Sequence, residues 1–302
     1  TSLRHEGDTG SWNVVNGVIS QTKTLDLISL SGSNSVIGRG VILHDIPDPC
    51  DSSSTGGRIG FGVIGLTNDE TNTASQGTSP SKLVTNLTPT DNCPGCSGTL
   101  WFEDVSGGVR VVARVEGLSS QNAYGLHMHV FGDITDEVAG LSLGGHWNPD
   151  DSDHGLPPSN NRHVGDMGNI QSFDGNVAWY DLVNNKIPNT ASIVGRGIVV
   201  HQLVDSGAGA GCVLGNSGSR YAIGTIGIAD ETLSIPNPPI SINTNFVDQS
   251  CEIDYSSDYS TFDYTTIDTT RNVNDDDDSS SSDASIISSS IVALVTAFIA
   301  FF

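Results

Sequence analysis

Basic residues are scarce in this chain: Lys plus Arg number 12 against 35 Asp plus Glu, a formal charge of -23 at pH 7. A surface with so few cations excludes nucleic acid and anionic lipid as electrostatic partners. Much of the negative charge lies in the C-terminal tail, where it serves solubility. Hydrophobic residues make up only 36% of the chain. They thin out over the last seventy or so positions, so less of the chain folds than its length suggests. Methionine is nearly absent, with 2 residues, whereas glycine reaches 35. Val/Ile runs broken by turn residues about every ten positions read as an all-β protein.

No apolar run reaches the roughly 20 residues of a membrane span, and none has a basic flank. The nearest approach is Ile286 to Phe302, interrupted by Ser288, Ser289 and Ser290 and preceded by Asp/Ser-rich sequence from Asn272. Small residues around Ser279 to Ala284, a short polar spacer and an apolar terminus fit a glycosylphosphatidylinositol attachment signal better than a weak tail anchor. The expected membrane association is therefore through a lipid anchor alone. The chain begins at Thr1, with neither Met nor a signal peptide, and reads as processed or as a fragment.

Five cysteines are too few for a disulfide-dense miniature scaffold. Cys50, Cys93, Cys96, Cys212 and Cys251 suit a secreted protein with a few bridges, whose pairing stays open. Cys93-Pro94-Gly95-Cys96 has the spacing of a redox motif or half a zinc site. A strand-like run, Thr99 to Val105, follows it where a redox motif has a helix, which weighs against redox chemistry. The sequon Asn86-Leu87-Thr88 suits a cell-surface address.

The chain repeats itself. Ser35 to His44 returns as Ser192 to His201, Leu3 to Gly10 as Asn161 to Gly168, and Arg58 to Gly65 as Arg220 to Gly227. Residues 1–67 are thus the back half of a module that occurs whole later. The expected division is a truncated module at 1–67, a polar linker at 68–89, a complete module at 90–230, a Ser/Thr/Asp-rich stalk at 231–285, expected to be disordered, and the hydrophobic signal at 286–302.

Within the complete module, Gly125-Leu126-His127-Met128-His129-Val130-Phe131-Gly132-Asp133 stands out. Alternate side chains of a strand share a face, so His127 and His129 converge while Met128 points away. Imidazole is the common ligand of copper and zinc. The remaining histidines, His146, His154, His163 and His201, sit in glycine-flanked turns or at a strand end. Singly, each is an ordinary surface or core histidine. Together, six imidazoles with Asp166 three residues after His163 suffice for two adjacent metals, and glycines permit the tight turns around them.

Gly125 to Asp133, Gly-Gly-His-Trp-Asn-Pro at 144–149, Arg-His-Val-Gly-Asp-Met-Gly-Asn at 162–169, and Gly-Asn-Ser-Gly-Ser-Arg at 215–220 running on to Gly-Thr-Ile-Gly-Ile-Ala at 224–229 resemble copper/zinc superoxide dismutase in order and spacing. The resemblance covers 93–230. It implies a Greek-key β-barrel or sandwich with long metal-binding loops. It further implies that His127, His129, His146 and His201 bind copper and that His146, His154, His163 and Asp166 bind zinc, His146 bridging both. Asp205 matches the carboxylate that links ligands of the two metals, and Arg220 the arginine that guides the anionic substrate, superoxide. The implied reaction converts superoxide to dioxygen and hydrogen peroxide, with a proton carried by His146. The implied assembly is a homodimer or an intramolecular pairing of modules.

Three departures qualify the resemblance. The family's clamp between the loop before the bridging histidine and the last strand is a disulfide, but here Gly140 or Leu141 faces Ile223. A bridge from Cys93 or Cys96 to Cys212 is the expected substitute. Lysine is missing between His201 and Arg220, which thins the steering charge. The truncated module keeps His5, Asp8, His44, Asp48 and Arg58 but has no paired-histidine strand and no counterpart of His146, so it completes no copper site of its own. A non-catalytic metal-binding or adhesion repeat at the cell surface is the alternative to an enzyme; the complete ligand set and Arg220 favour the enzyme.

Overall fold

The computed structural model describes residues 4–49, 55–67, 80–119, 123–173, 176–207 and 215–238. Cys50, Cys212, Cys251, nearly all of the expected stalk and the hydrophobic tail lie outside the described residues. The truncated module contributes a ribbon of two strands, β1 (Gly40–His44) and β2 (Arg58–Val63). The complete module contributes β3 (Lys82–Pro89), β4 (Ser97–Val105), β5 (Gly108–Glu116), β6 (Ala123–His129), β7 (Asp166–Phe173), β8 (Val177–Asn184), β9 (Gly197–His201), β10 (Arg220–Thr225) and the short β11 (Gly227–Ile228). Helix among the described residues amounts to two 3-10 turns, Leu141–Leu143 and Thr190–Ser192. The all-β reading is met.

Strand order is β10-β9-β6-β7-β8-β5-β4-β3-β11, every pair antiparallel, and β10 pairs back onto β3. That last pairing closes an eight-stranded barrel. The connections β5 to β6 and β8 to β9 each skip two strands, which makes the topology a Greek key. Leu83, Leu100, Phe102, Val111, Leu126, Met128, Ile170 and Ile198 fill the interior, each fully buried or nearly so. On β6, Met128 points into this core while His127 and His129 turn outward beneath the loops, as strand alternation requires.

Two boundaries differ from the sequence reading. Lys82–Pro89, expected to be linker, is a barrel strand in which Leu83, Thr85 and Leu87 are buried on alternate positions. Threonine and asparagine between the leucines disguise the period-2 pattern as polar linker. At the other end, residues expected to begin the stalk lie on the barrel: Ser81 Oγ bonds the Glu231 carboxylate, Lys82 Nζ donates to the carbonyls of Glu231 and Leu233 at 2.9 and 2.8 Å, and Arg110 reaches Asn237 at 3.1 Å.

The truncated module docks on the complete one through equivalent residues. The Leu66 amide donates to Gly195 O at 2.8 Å, and the Ile228 amide to Gly38 O at 2.7 Å. By the repeat, Leu66 corresponds to Ile228 and Gly38 to Gly195, so these two bonds exchange under a pseudo-two-fold rotation. A third bond joins the Gly132 amide to Leu66 O at 2.9 Å. Ile37 and Leu66, 2% and 3% exposed, enter the same core cluster as Val194, the counterpart of Ile37, and Ile228, the counterpart of Leu66, packs against it. Burying each aliphatic side chain is worth ~1.5–3 kcal/mol before the cost of ordering it.

Candidate metal centre

β6, β7 and β9 bring the site together with the loop from Val130 to Gly165. Backbone bonds pin that loop to β6: Trp147 N to Met128 O at 2.8 Å, Gly165 N to Trp147 O at 2.9 Å and Met128 N to Gly165 O at 2.9 Å. His146 is thereby laid over His127, ring centroids 4.0 Å apart, and beside His129 at 5.1 Å. His201, at the end of β9, lies 4.8 Å from His127 and 5.8 Å from His129 between ring centroids. All six histidines are buried.

Three groups of potential ligand atoms result among the described residues, each within 4.8 Å of one another: His146, His154, His163 and Asp166; His127, His146 and His201, with His129 beside them but outside the group; and His127, His154 and Asp205. His146 belongs to the first two. Its Nδ1 lies 2.9 Å from Asp166 Oδ1, and His163 Nδ1 lies 3.0 Å from the same oxygen. His154 Nδ1 lies 3.0 Å from Asp166 Oδ2 without hydrogen-bond geometry. The Asp166 carboxylate is further held by the amides of Gly155 at 3.0 Å and His163 at 2.9 Å.

The opposite nitrogens are equally ordered. His129 Nδ1 donates to Gly144 O at 2.8 Å and His201 Nδ1 to Gly218 O at 3.2 Å, leaving each Nε2 as the free ligand atom. His127 Nε2 bonds Asp205 at 2.7 Å, which frees its Nδ1. Buried His127 Nδ1, His129 Nε2 and His201 Nε2 have no hydrogen-bond partner. Unsatisfied buried nitrogens cost ~1–3 kcal/mol each, so their convergence fits an ion held between them. An all-imidazole set suits copper, and three imidazoles with one carboxylate suit tetrahedral zinc.

Asp205 ties the groups together. One oxygen takes His127 Nε2 at 2.7 Å and the other His154 Nε2 at 2.9 Å. Asn169 fixes Asp205 in turn, accepting from its amide at 2.7 Å and donating to its carbonyl at 2.9 Å. Arg220 leans over the copper-type group, its two guanidinium nitrogens on Gly140 O and, at 2.7 Å, Gly144 O.

The electrostatics follow from burial and pairing. Burial, with the neighbouring His127, pushes His146 down to about 3. Burial also holds His129 and His201 well below the ordinary imidazole value, helped by Arg220 and adjacent histidines. These three rings are neutral at physiological pH and ready to ligate. Burial opposes the charge on His154 too, but the nearby Asp166 and Asp205 carboxylates outweigh it and raise that ring to about 9. Asp166 and Asp205 stay far below the usual carboxylate range despite burial, because histidines donate to both.

Every histidine and carboxylate expected at the site of the complete module lies in this cluster, as does Arg220, whereas His5, Asp8, His44 and Asp48 of the first module do not. Asn169, Gly140 and Gly144 were not given roles there, since a carbonyl acceptor leaves no sequence signal. Nor was Arg196, whose guanidinium sits 4.2 Å over the Trp147 ring beside His146 and donates to Val130 O at 3.1 Å. Arg162, 1% exposed, is likewise structural: it braces the turn through Asp166 O at 3.2 Å and Asn184 at 2.9 Å.

The disulfide expectation is corrected. Cys93 is bonded to Cys96, closing the turn between β3 and β4, so neither is available to Cys212. Local geometry decides this, since the turn itself brings the two Cα atoms to 5.5 Å. Where the family disulfide would clamp the loop, a Cβ on Gly140 would lie 3.0 Å from Ile223 Cγ2, and the Arg220 bond to Gly140 O makes the tie instead.

Residues 96–226 match the family described as copper/zinc superoxide dismutase. The chain is 32% identical over 263 residues to extracellular Cu-Zn superoxide dismutase 3 of Dictyostelium discoideum, a match covering 76% of this chain and 61% of that protein. The chain thus spans about three-fifths of that relative's length. A solved structure described as the clock protein EA4 is 35% identical, with a TM-score of 0.45, covering 50% of this chain and 97% of that one. Residues 96–226, the part of the barrel that carries the candidate metal centre, thus match the copper/zinc superoxide dismutase family.

Proposed function

We propose that this chain is a superoxide dismutase, with copper held by His127, His129, His146 and His201 and zinc by His146, His154, His163 and Asp166. The observation that carries the reading is the pair of buried donor groups sharing His146, with unpartnered nitrogens on three neighbouring histidines. Copper there supplies one-electron exchange with superoxide, and zinc, which has no redox chemistry, orders the loops.

The chain's own residues do the rest. Arg220, held rigid by two loop carbonyls, offers its remaining N–H groups to an anion and supplies positive charge in a protein of net charge -23. His146, common to both donor groups, would hold a proton on whichever ring nitrogen no metal engages. Asp205 keeps Nε2 of His127 and of His154 occupied, which fixes their Nδ1 atoms as donors. Two superoxide ions and two protons yield one dioxygen and one hydrogen peroxide.

An extracellular site of action is supported by the description of the relative from Dictyostelium discoideum and by the Cys93–Cys96 bond. Retention at the surface by a lipid anchor is part of the same proposal and rests on the tail composition; release by a phosphatidylinositol-specific phospholipase tests it. The activity is tested by pulse radiolysis of copper- and zinc-loaded protein. Superoxide decay no faster than in buffer would sink the proposal.

A further inference from the structure

The truncated module is the same structure as its counterpart with the covering removed. β1 and β2 pair Gly40 with Val63, Val41 with Gly62, Ile42 with Phe61, Leu43 with Gly60 and His44 with Arg58. β9 and β10 pair Gly197 with Thr225, Ile198 with Gly224, Val199 with Ile223, Val200 with Ala222 and His201 with Arg220. These are equivalent residues in identical register, with an irregularity at the same end of each ribbon. What differs is burial. Ile198, Val199 and Ile223 are 0% exposed, whereas Val41, Ile42 and Phe61 are 43%, 41% and 85% exposed.

The complete copy shows what belongs on the bare ribbon. There β6 lies along β9, Leu126 opposite Val200 through His129 opposite Gly197, and β3 lies along β10, with Thr88 opposite Ile223. Among the described residues β1 and β2 pair only with each other. A bare, apolar, two-sided ribbon is a template for added strands.

The half-formed metal loop points the same way. The His5 amide donates to Asp8 Oδ2 at 3.0 Å and the Asp8 amide to His5 O at 3.1 Å, reproducing His163 and Asp166 at 2.9 and 3.3 Å. Arg4 reaches Asp8 O as Arg162 reaches Asp166 O. His44 closes β1 as His201 closes β9, yet the His5 side chain is 94% exposed. The ligands without counterparts, His127, His129, His146 and His154, all fall between residues 80 and 161.

We propose that the β1–β2 ribbon and the His5–Asp8 turn form the receptor for a second copy of the module's front half, a polypeptide equivalent to residues 80–161, which completes a second barrel and a second pair of metal sites. The occupant is a strand-bearing segment with its own paired histidines. This chain's one such segment is used up in the complete module, and lending it to another copy would open one barrel to close another. The docking stands on register and exposure, while the metal part rests on the ligand reading above. The pseudo-two-fold face remains compatible with completion, since it uses Ile37, Gly38 and Leu66 and leaves the outer edges of β1 and β2 clear.

The test is to place a second copy of residues 80–161 ahead of Arg4 in the otherwise full chain, the order in which the complete module reads. Metal content is measured by mass spectrometry after equilibration with copper and zinc, and amide exchange is followed at β1 and β2. The expected result is two coppers and two zincs in place of one of each, with exchange in both strands slowed at least tenfold. Unchanged exchange at β1 and β2 would overturn the proposal whatever the metal count. In the same extended chain, His5→Ala with His44→Ala should return the content toward one of each while the strands stay protected; a count remaining at two would overturn the ligand assignment. An unmodified chain that binds its metals but does not consume superoxide would defeat the catalytic reading and leave this experiment unaffected.

Discussion

Asp205 accepts a hydrogen bond from Nε2 of His127 at 2.7 Å, with neither side chain exposed to solvent. The same carboxylate reaches His154, so one buried group orients a histidine of each proposed metal set. Asp205→Ala should therefore weaken zinc retention about 10–100-fold, the usual effect of removing a ligand's hydrogen-bond partner. Chelator competition would measure this, with the barrel's circular dichroism spectrum unchanged.

Arg220 carries both a charge and a clamp. Arg220→Glu should lower the superoxide rate constant by at least tenfold and invert its salt dependence, because the anion then meets repulsion that salt relieves. Arg220→Lys should keep the sign of the salt dependence while losing one of the two carbonyl ties to Gly140 and Gly144. Rates taken across a series of ionic strengths separate the two roles.

The docking face leaves no room for side chains at its two glycines. A Cβ on Gly195 would lie 2.4 Å from Ile37 Cγ2, and one on Gly38 2.3 Å from Val194 Cγ1, both at positive φ. Gly195→Val should destabilise the paired modules by about 1–3 kcal/mol through overpacking and backbone strain. Faster amide exchange at Leu66 and Ile228, with the eight-stranded barrel retained, is the expected reading.

Metal-free protein should lose stability as pH falls below about 6.5. His129, His146 and His201 all have folded pKa values below the ordinary imidazole value, so the unfolded chain takes up protons that the fold resists, at about 1.4 kcal/mol per pH unit per proton. For His146 that window runs from about 6.5 to about 3. His154, raised to about 9, acts oppositely: its contribution is full below 6.5 and fades as pH rises through 9. Urea midpoints measured from pH 4 to pH 10 on protein dialysed against chelator should fall off at both ends.

Much of the histidine cluster could be read from the chain because its members are marked by type and spacing. His127 and His129 alternate on one strand, and His163 with Asp166 spans one turn. The supports were less legible. Asn169 acts on Asp205 from another strand, and Arg196 covers Trp147 from a distant loop, contacts that depend on three-dimensional closure. β3 was hidden because its buried face includes Thr85 between two leucines. The repeat revealed which residues of the two modules are equivalent, but not that Gly38 and Gly195 would turn toward each other, since a two-fold axis leaves no trace in sequence spacing.

That axis lies within a single polypeptide. Two modules joined by a short tether meet at an effective concentration of the order of millimolar, independent of how much protein is present. A pair formed between separate chains comes apart on dilution, as extracellular fluid would impose. Here the apposition of Leu66 on Gly195 and Ile228 on Gly38 is first order, so the complete module keeps its companion at any abundance.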